Sequence, residues 1–239
     1  MAGRVTYLGG IVQSDLFLLL DAAKTDSYPQ VGTSWINLEY NGVNGTLVNT
    51  PTFNSSDGGS IVFDGTNDYV DLGANTIVLN NNIPKTFSLW VKYTNAAVTK
   101  SLIADMGGSG NRGWWFAINA SGQMFFGGSN NGTNANLLYR TTTNANLVVN
   151  TWYNLVVTYD PSTPTALFYR NSTLLTNDGN TIYSVYNSPT TPVQIGAYLG
   201  VTPTAPFVGN MSQILVYNKV LSQTEITQNY NALKGRYGL

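Results

Sequence analysis

The sequence predicts an all-β protein: a jelly-roll β-sandwich of two antiparallel sheets with one short C-terminal helix. Three observations predict it. Many short segments alternate apolar and polar side chains, the period-two pattern of a strand with one buried face. Clusters of Gly, Asn, Asp and Ser separate these segments at close spacing, as hairpin connections require. Helical periodicity with start and stop signals occurs near the C-terminus only.

The chain opens with MAGRVTYLGGIVQS, which has two adjacent glycines and no periodicity. Residues 1–14 therefore read as an arm that docks on a partner or another subunit. Residues 15–239 read as one domain, because no linker, charge run or composition break divides them. A strand follows at residues 16–20, and then a long loop with SYPQVGTSW, residues 27–35. The apolar run in DLFLLLDAA is bracketed by Asp15 and Asp21. It is short of the roughly 20 apolar residues of a membrane span and lacks the basic start of a signal peptide. A soluble chain without a classical export signal is expected.

GSIVFDGTNDYVDLG, residues 59–73, places Asp64, Asp68 and Asp71 in one turn and the start of one strand. Asp and Asn side chains cap backbone N–H groups, and Gly supplies positive φ, so a hairpin turn is the first reading. Part of a calcium site is the second, with Asp64, Asn67 and Asp68 as oxygen donors.

FSLWVKY, residues 87–93, alternates strictly: Phe87, Leu89, Val91 and Tyr93 point one way, Ser88, Trp90 and Lys92 the other. WYNLVVTYD, residues 152–160, repeats the pattern with Tyr153, Leu155, Val157 and Tyr159. SLIADM, GWWFAIN, QMFFGG, ALFYR, PVQIGAY and SQILVYN supply further short strands. Trp90 and Trp152 are expected in inter-sheet packing. LSQTEITQNYNALKG then gives the helix. Ser222 with Glu225 three residues later forms a capping box. Ile226, Tyr230 and Leu233 share one face, and Gly235 is placed to end the helix. That helix is expected on one edge of the sandwich.

Composition narrows the chemistry. There is no Cys and no His, which excludes disulfides and thiolate sites and removes the commonest general base and metal ligand. Net charge is −1, so no basic surface for nucleic acid or acidic lipid is implied. The N-x-S/T triplets at Asn44, Asn54, Asn119, Asn131, Asn171 and Asn210 read as turn and surface composition.

Together GGSIVFDGTNDYVDLG, FSLWVK, WYNLVVTYD and VGNMSQILVYNKVLSQTEITQNYNALKGRYGL resemble the laminin-G-like branch of the concanavalin A-like lectin/glucanase superfamily, from about residue 16 to the end. The opening LLLDAAKTDSYPQVGTSWINLEY and the closing NYNALKGRYGL look like versions found as structural proteins of tailed bacteriophages. That resemblance implies a virion surface component: a capsid decoration, head fibre or tail-fibre part, located on the particle surface. Its partners would be a scaffold protein or copies of itself, in a homo-oligomer such as a trimer, with residues 1–14 and 234–239 as contact segments. Only 10% of the chain is charged, which favours such association.

Catalysis is not expected. Glucanases of the superfamily use a carboxylate pair, usually on an E-x-D-x-E strand. This chain has two glutamates, Glu39 and Glu225, and no such strand. Asp68 and Asp71 fall on opposite faces of a strand. Glycan binding is the more natural activity. Arg112, Trp114, Trp115 and Asn111 form one candidate group, an aromatic face with hydrogen-bonding neighbours. Trp35 and Tyr28, in the long loop, form a second. Calcium is the one cofactor suggested. A stand-alone calcium-dependent lectin is the alternative to the virion reading, and a glycan-cleaving enzyme a remote one.

Overall fold

The computed structural model describes residues 10–39, 42–74, 83–108, 110–182, 191–199 and 203–239. Its strands are β1 (Leu16–Asp21), β2 (Ser34–Trp35), β3 (Gly45–Val48), β4 (Thr52–Asn54), β5 (Ser60–Asp64) and β6 (Tyr69–Ala74). Next come β7 (Lys85–Tyr93), β8 (Lys100–Met106), β9 (Arg112–Ile118), β10 (Met124–Gly132), β11 (Leu137–Thr141) and β12 (Tyr153–Asp160). The last are β13 (Thr165–Arg170), β14 (Thr173–Leu174), β15 (Pro192–Ile195), β16 (Tyr198–Leu199), β17 (Pro203–Thr204) and β18 (Val208–Tyr217), then helix α1 (Gln223–Leu233).

Two eight-stranded antiparallel sheets form the predicted sandwich. The first runs β14-β13-β12-β7-β18-β5-β4, with β1 also paired to β18. The second runs β11-β10-β9-β8-β15-β6-β3-β2. The alternation read from the sequence fixes the faces. Phe87, Leu89, Val91 and Tyr93 enter the inter-sheet core, where they meet Leu155, Val157, Trp114, Phe116 and Phe126.

Trp90 and Trp152 do not pack between the sheets. They lie on the opposite face of the first sheet, in a second apolar cluster with Ile11, Val12, Leu19, Leu215, Ile226, Leu233 and Tyr237. The helix therefore covers the outer face of this sheet rather than an edge, and the tryptophans sit beneath it. The phase was legible in the sequence; the cover was not.

The capping box is present: Ser222 Oγ accepts from the Glu225 N–H, and Glu225 Oε2 accepts from the Ser222 N–H at 2.9 Å. The helix does not end at Gly235. A 3₁₀ turn, Lys234–Tyr237, extends it, and Gly238 takes the left-handed conformation at φ 71°. The contact segments expected at the two ends are used within the chain. Ile11 and Val12 are buried, Val12 N–H donates to Asn229 Oδ1 at 2.8 Å, and Tyr237 is buried. The rest of the expected arm, residues 1–9, lies outside the described residues.

Candidate functional site

The helix packs on the first sheet and does not reach the outer face of the second, where Ser101, Ala104, Ala117 and Gln194 are buried and Trp115 and Tyr139 are half-buried. Strand register aligns one row of side chains across this face. Tyr139 pairs with Gly127, Gly127 with Trp115, Trp115 with Ala104, Ala104 with Gln194, Gln194 with Asp71, and Asp71 with Thr46. Each lies opposite in phase to the core residues Trp114, Phe116, Phe126 and Ile195. The adjacent row holds Thr141, Phe125, Ala117 and Ser101.

An aromatic patch occupies one end of this face. Trp115 meets Tyr198 edge-on at 4.7 Å, Phe125 at 4.9 Å and Tyr139 at 6.3 Å. Trp115 Nε1 donates to Ser101 Oγ at 3.1 Å, which fixes the indole while leaving it half-buried. Gly127 separates Trp115 from Tyr139 in the row. A Cβ there would come within 2.1 Å of the Leu138 carbonyl oxygen, so the strands close up only over glycine.

Two polar side chains of the face carry unpartnered atoms. Gln194 is 1% exposed, and neither its Oε1 nor its Nε2 has a hydrogen-bond partner. Arg112 is half-buried, with its Nε buried and unpartnered. It lies close enough to Tyr139 to act on that phenol: burial pushes Tyr139 up to about 12, Tyr198 adds to the rise, and Arg112 opposes it. Beyond Gln194, Val43, Asn44, Thr46, Asp71 and Gly73 line an open groove of about 460 Å³.

The sequence-predicted residues are thus divided. Trp115 and Arg112 belong to the outer-face patch. Asn111 lies at the turn leading into β9, where its carbonyl accepts from Gly107 N–H at 2.8 Å and Thr191 Oγ1 at 3.3 Å. Trp114 and Trp35 are fully buried and Tyr28 is 2% exposed, all in the inter-sheet core, so none offers a face to a sugar. Trp114 stacks on Phe87 at 4.8 Å, and Tyr28 Oη donates to the Gly32 carbonyl. Tyr139, Tyr198, Phe125 and Gln194 were missed. They are far apart in the chain and meet only through register, although outward alternation in LLYRT was a usable signal for Tyr139.

At the aspartate turn, Asp64 Oδ1 accepts from Thr66 N–H at 2.7 Å and Asn67 N–H at 3.3 Å. Asp68 Oδ2 accepts from Asp64 N–H at 3.0 Å, and the Asn67 carbonyl accepts from Asn49 Nδ2 at 2.8 Å. Burial raises the Asp64 carboxyl, but the N–H groups of Thr66, Asn67 and Asp68 together hold it below the usual carboxylate range. Burial pushes Asp68 up, and the neighbouring Asp64 charge adds to this. Asp68 Oδ1 is buried without a partner. Asp64 Oδ1 and Asp68 Oδ2 are thus engaged by backbone N–H groups of the turn itself. Among the described residues no group of three or more His, Cys, Asp or Glu gathers as a metal site. This arrangement fits a turn. Asp71 points onto the outer face of the second sheet, away from buried Asp68.

The family model Laminin_G_3, described as concanavalin A-like lectin/glucanases superfamily, matches residues 64–227. The chain belongs to this family. No curated protein matches the sequence. Solved structures similar to this Laminin_G_3 domain include Trypanosoma rangeli sialidase, with TM-score 0.66 and 16% identity over 94% of this chain and 33% of that one. The binding domain of Paraclostridial Mosquitocidal Protein 1 gives TM-score 0.66 and 15% identity, over 91% of this chain and 52% of that chain. The CBM40 of Ruminococcus gnavus IT-sialidase, bound to α2,3 sialyllactose, gives 0.57 and 18%, over 70% and 94%. This chain spans about a third of the sialidase chains, and the likeness at these identities is one of fold. That fold is lectin-like.

Proposed function

We propose that this domain is a non-catalytic glycan-binding module, displayed in many copies on the surface of a phage particle. The observation that carries the binding reading is the half-buried Trp115, edged by Tyr198 and Tyr139, on a sheet face whose Gln194 amide and Arg112 Nε are unpartnered. Apolar ring faces with a few placed polar groups are the usual anatomy of a sugar site. Sialyllactose bound to a similarly folded module supports the same class of ligand. The virion setting rests on the sequence resemblance and on the low charge of the surface. There, many weak sites gain strength through effective concentration. The scaffold or sister subunits would take the surfaces that the helix and residues 10–14 leave uncovered.

The non-catalytic reading rests on the carboxylates. Glu225 is held by Ser222 and Lys219 in the helix cap, and Asp68 and Asp71 face apart. A reducing-sugar assay tests it, and turnover lost on Asp71→Asn would overturn it. The decisive experiment for binding is a glycan array with purified protein, run in calcium and again in EDTA, with Trp115→Ala alongside. Binding in both buffers that Trp115→Ala removes supports the outer-face site. Binding lost in EDTA would favour the calcium-dependent lectin, for which the unpartnered Asp68 Oδ1 is the supporting observation. No binding in either buffer refutes the lectin reading. Light scattering of the same sample tests the homo-oligomer.

A further inference from the structure

We propose that the outer-face site selects an acidic sugar, and that Arg112 receives its carboxylate. This rests on the glycan-binding reading and adds the charge class of the ligand. Among the described arginines, Arg112 stands apart. Arg236 pairs with Asp21, Arg140 donates to the Asn180 carbonyl, and Arg170 donates to the Ala145 carbonyl. The Arg112 side chain makes no ion pair or hydrogen bond with a described residue, and its Nε is buried. A guanidinium is always charged, so a desolvated and unpaired donor is an unmet demand for an anion. Its planar fork matches a carboxylate with two parallel N–H···O bonds.

The surroundings suit a carboxylate on a ring. Arg112 begins β9, and an extra residue at Gly113, where Met106 and Asp105 of β8 pair with Arg112 and Trp114, resets the alternation so that Arg112 shares the face on which Trp115 offers an apolar surface to a pyranose. Tyr139 and Tyr198 lie beside Trp115, and burial pushes the Tyr139 phenol up to about 12, so it stays neutral at pH 7. Neutral phenols donate to carboxylate or hydroxyl oxygens without repelling them. Gln194, buried and with both amide atoms unpartnered, lies two strands further along the row. Negative charge on this face is remote from Arg112: Asp71 is three strands from Trp115, roughly 14 Å at ordinary strand spacing. Asp105 sits opposite Trp114 in the inward phase and forms no ion pair with Arg112.

The test is calorimetric titration of the full chain with acidic oligosaccharides, sialyllactose and a hexuronate-containing trisaccharide, against their neutral parents. At least one acidic sugar should bind about tenfold tighter than its parent, the scale of one charge-assisted contact. The preference should shrink as salt is added. Arg112→Gln should bring the acidic sugar to the level of the neutral parent measured on the same variant, and Arg112→Lys should recover part of the preference. Unchanged melting temperatures of both variants separate this from misfolding. Equal binding of acidic and neutral sugars, abolished by Trp115→Ala, would overturn the charge selection and leave the glycan site standing. Binding of neither kind would overturn both.

Discussion

The indole of Trp90 lies against the phenol ring of Tyr237, with centroids 4.1 Å apart and planes inclined by 18°. Trp90 projects from β7 at the centre of the first sheet, and Tyr237 is two residues from the end of the chain. Trp152 joins them at 4.7 Å from Tyr237 and donates Nε1 to Asp57 Oδ2 at 2.7 Å. The C-terminus thus closes a second apolar layer. Tyr237→Ala is expected to cost about 3–5 kcal/mol, the range for removing a buried aromatic ring. Tyr237→Phe keeps the stacked ring and should stay within about 1 kcal/mol of the parent. Urea unfolding of both variants checks this, and an equal loss in both would deny the stack its role.

This layer marks where sequence reading stops. The alternation in FSLWVKY correctly opposed Trp90 to Phe87 and Leu89, and the capping box placed the helix start. Local periodicity cannot say what covers an outward tryptophan, because the cover arrives from distant parts of the chain, Ile11 and Val12 at one end and Tyr237 at the other. The same limit hid the candidate site. Trp115 was visible as one of two adjacent tryptophans. Its partners Tyr139, Tyr198 and Gln194 are gathered by pairings of β9, β10, β11, β8 and β15, and no local pattern encodes register. Trp35 and Tyr28 show the converse. They sit among turn residues and read as exposed, yet both fill the core. At the aspartate turn the chemistry is local, and there the reading from residue type met the observed hydrogen bonds.

A charged pair pins the same C-terminal layer to the sheet. Arg236 donates to both carboxylate oxygens of Asp21, at 2.8 and 3.1 Å, and Gln213 Nε2 donates to Oδ2 at 3.1 Å. The Asp21 side chain is only 3% exposed. Removing one partner strands the other, so Arg236→Met should destabilise by about 3–5 kcal/mol. Asp21→Asn with Arg236→Met should cost less than the sum of the two single changes. Additive losses in a double-mutant cycle would show that the two charges act independently.

Two buried lysines set the alkaline behaviour. Burial lowers Lys85 and Lys100 from the ordinary 10.5 to about 8. Lys85 donates to Asn218 Oδ1 at 2.5 Å, while Lys100 donates to the Val98 carbonyl and lies over the Tyr93 ring. Between about pH 8 and 10.5 the unfolded chain holds protons that the folded chain has released, so stability should rise with pH over that span. The tyrosines act in the opposite sense. Burial pushes Tyr139 and Tyr237 from 10.0 to about 12, so above pH 10 the folded chain holds the extra protons and stability should fall. Denaturation midpoints should therefore climb from pH 8 and turn over near pH 10. Lys100→Met should raise stability at pH 7 and flatten the climb; a climb of unchanged height would exclude Lys100 as a source.

Adjacent tryptophans with opposite faces give the sharpest separation of folding from binding. Trp114 is fully buried between Phe87 and Phe126, at 4.8 and 6.4 Å. Trp115 is half-buried on the outer face, braced by Ser101 and Tyr198. Trp114→Ala should cost about 3–5 kcal/mol through the cavity it leaves, and sugar affinity of the remaining folded fraction should be unchanged. Trp115→Ala leaves no closed cavity, since solvent reaches its site, and should cost markedly less in stability. It removes the ring face a pyranose would stack on, so affinity should fall about tenfold or more, on the scale of an aromatic contact of 1.4 kcal/mol. Thermal melts and titrations on the two variants together decide the matter. If Trp115→Ala binds like the parent, the glycan site lies elsewhere, because among the described residues no other half-buried ring of the patch contacts three aromatic neighbours.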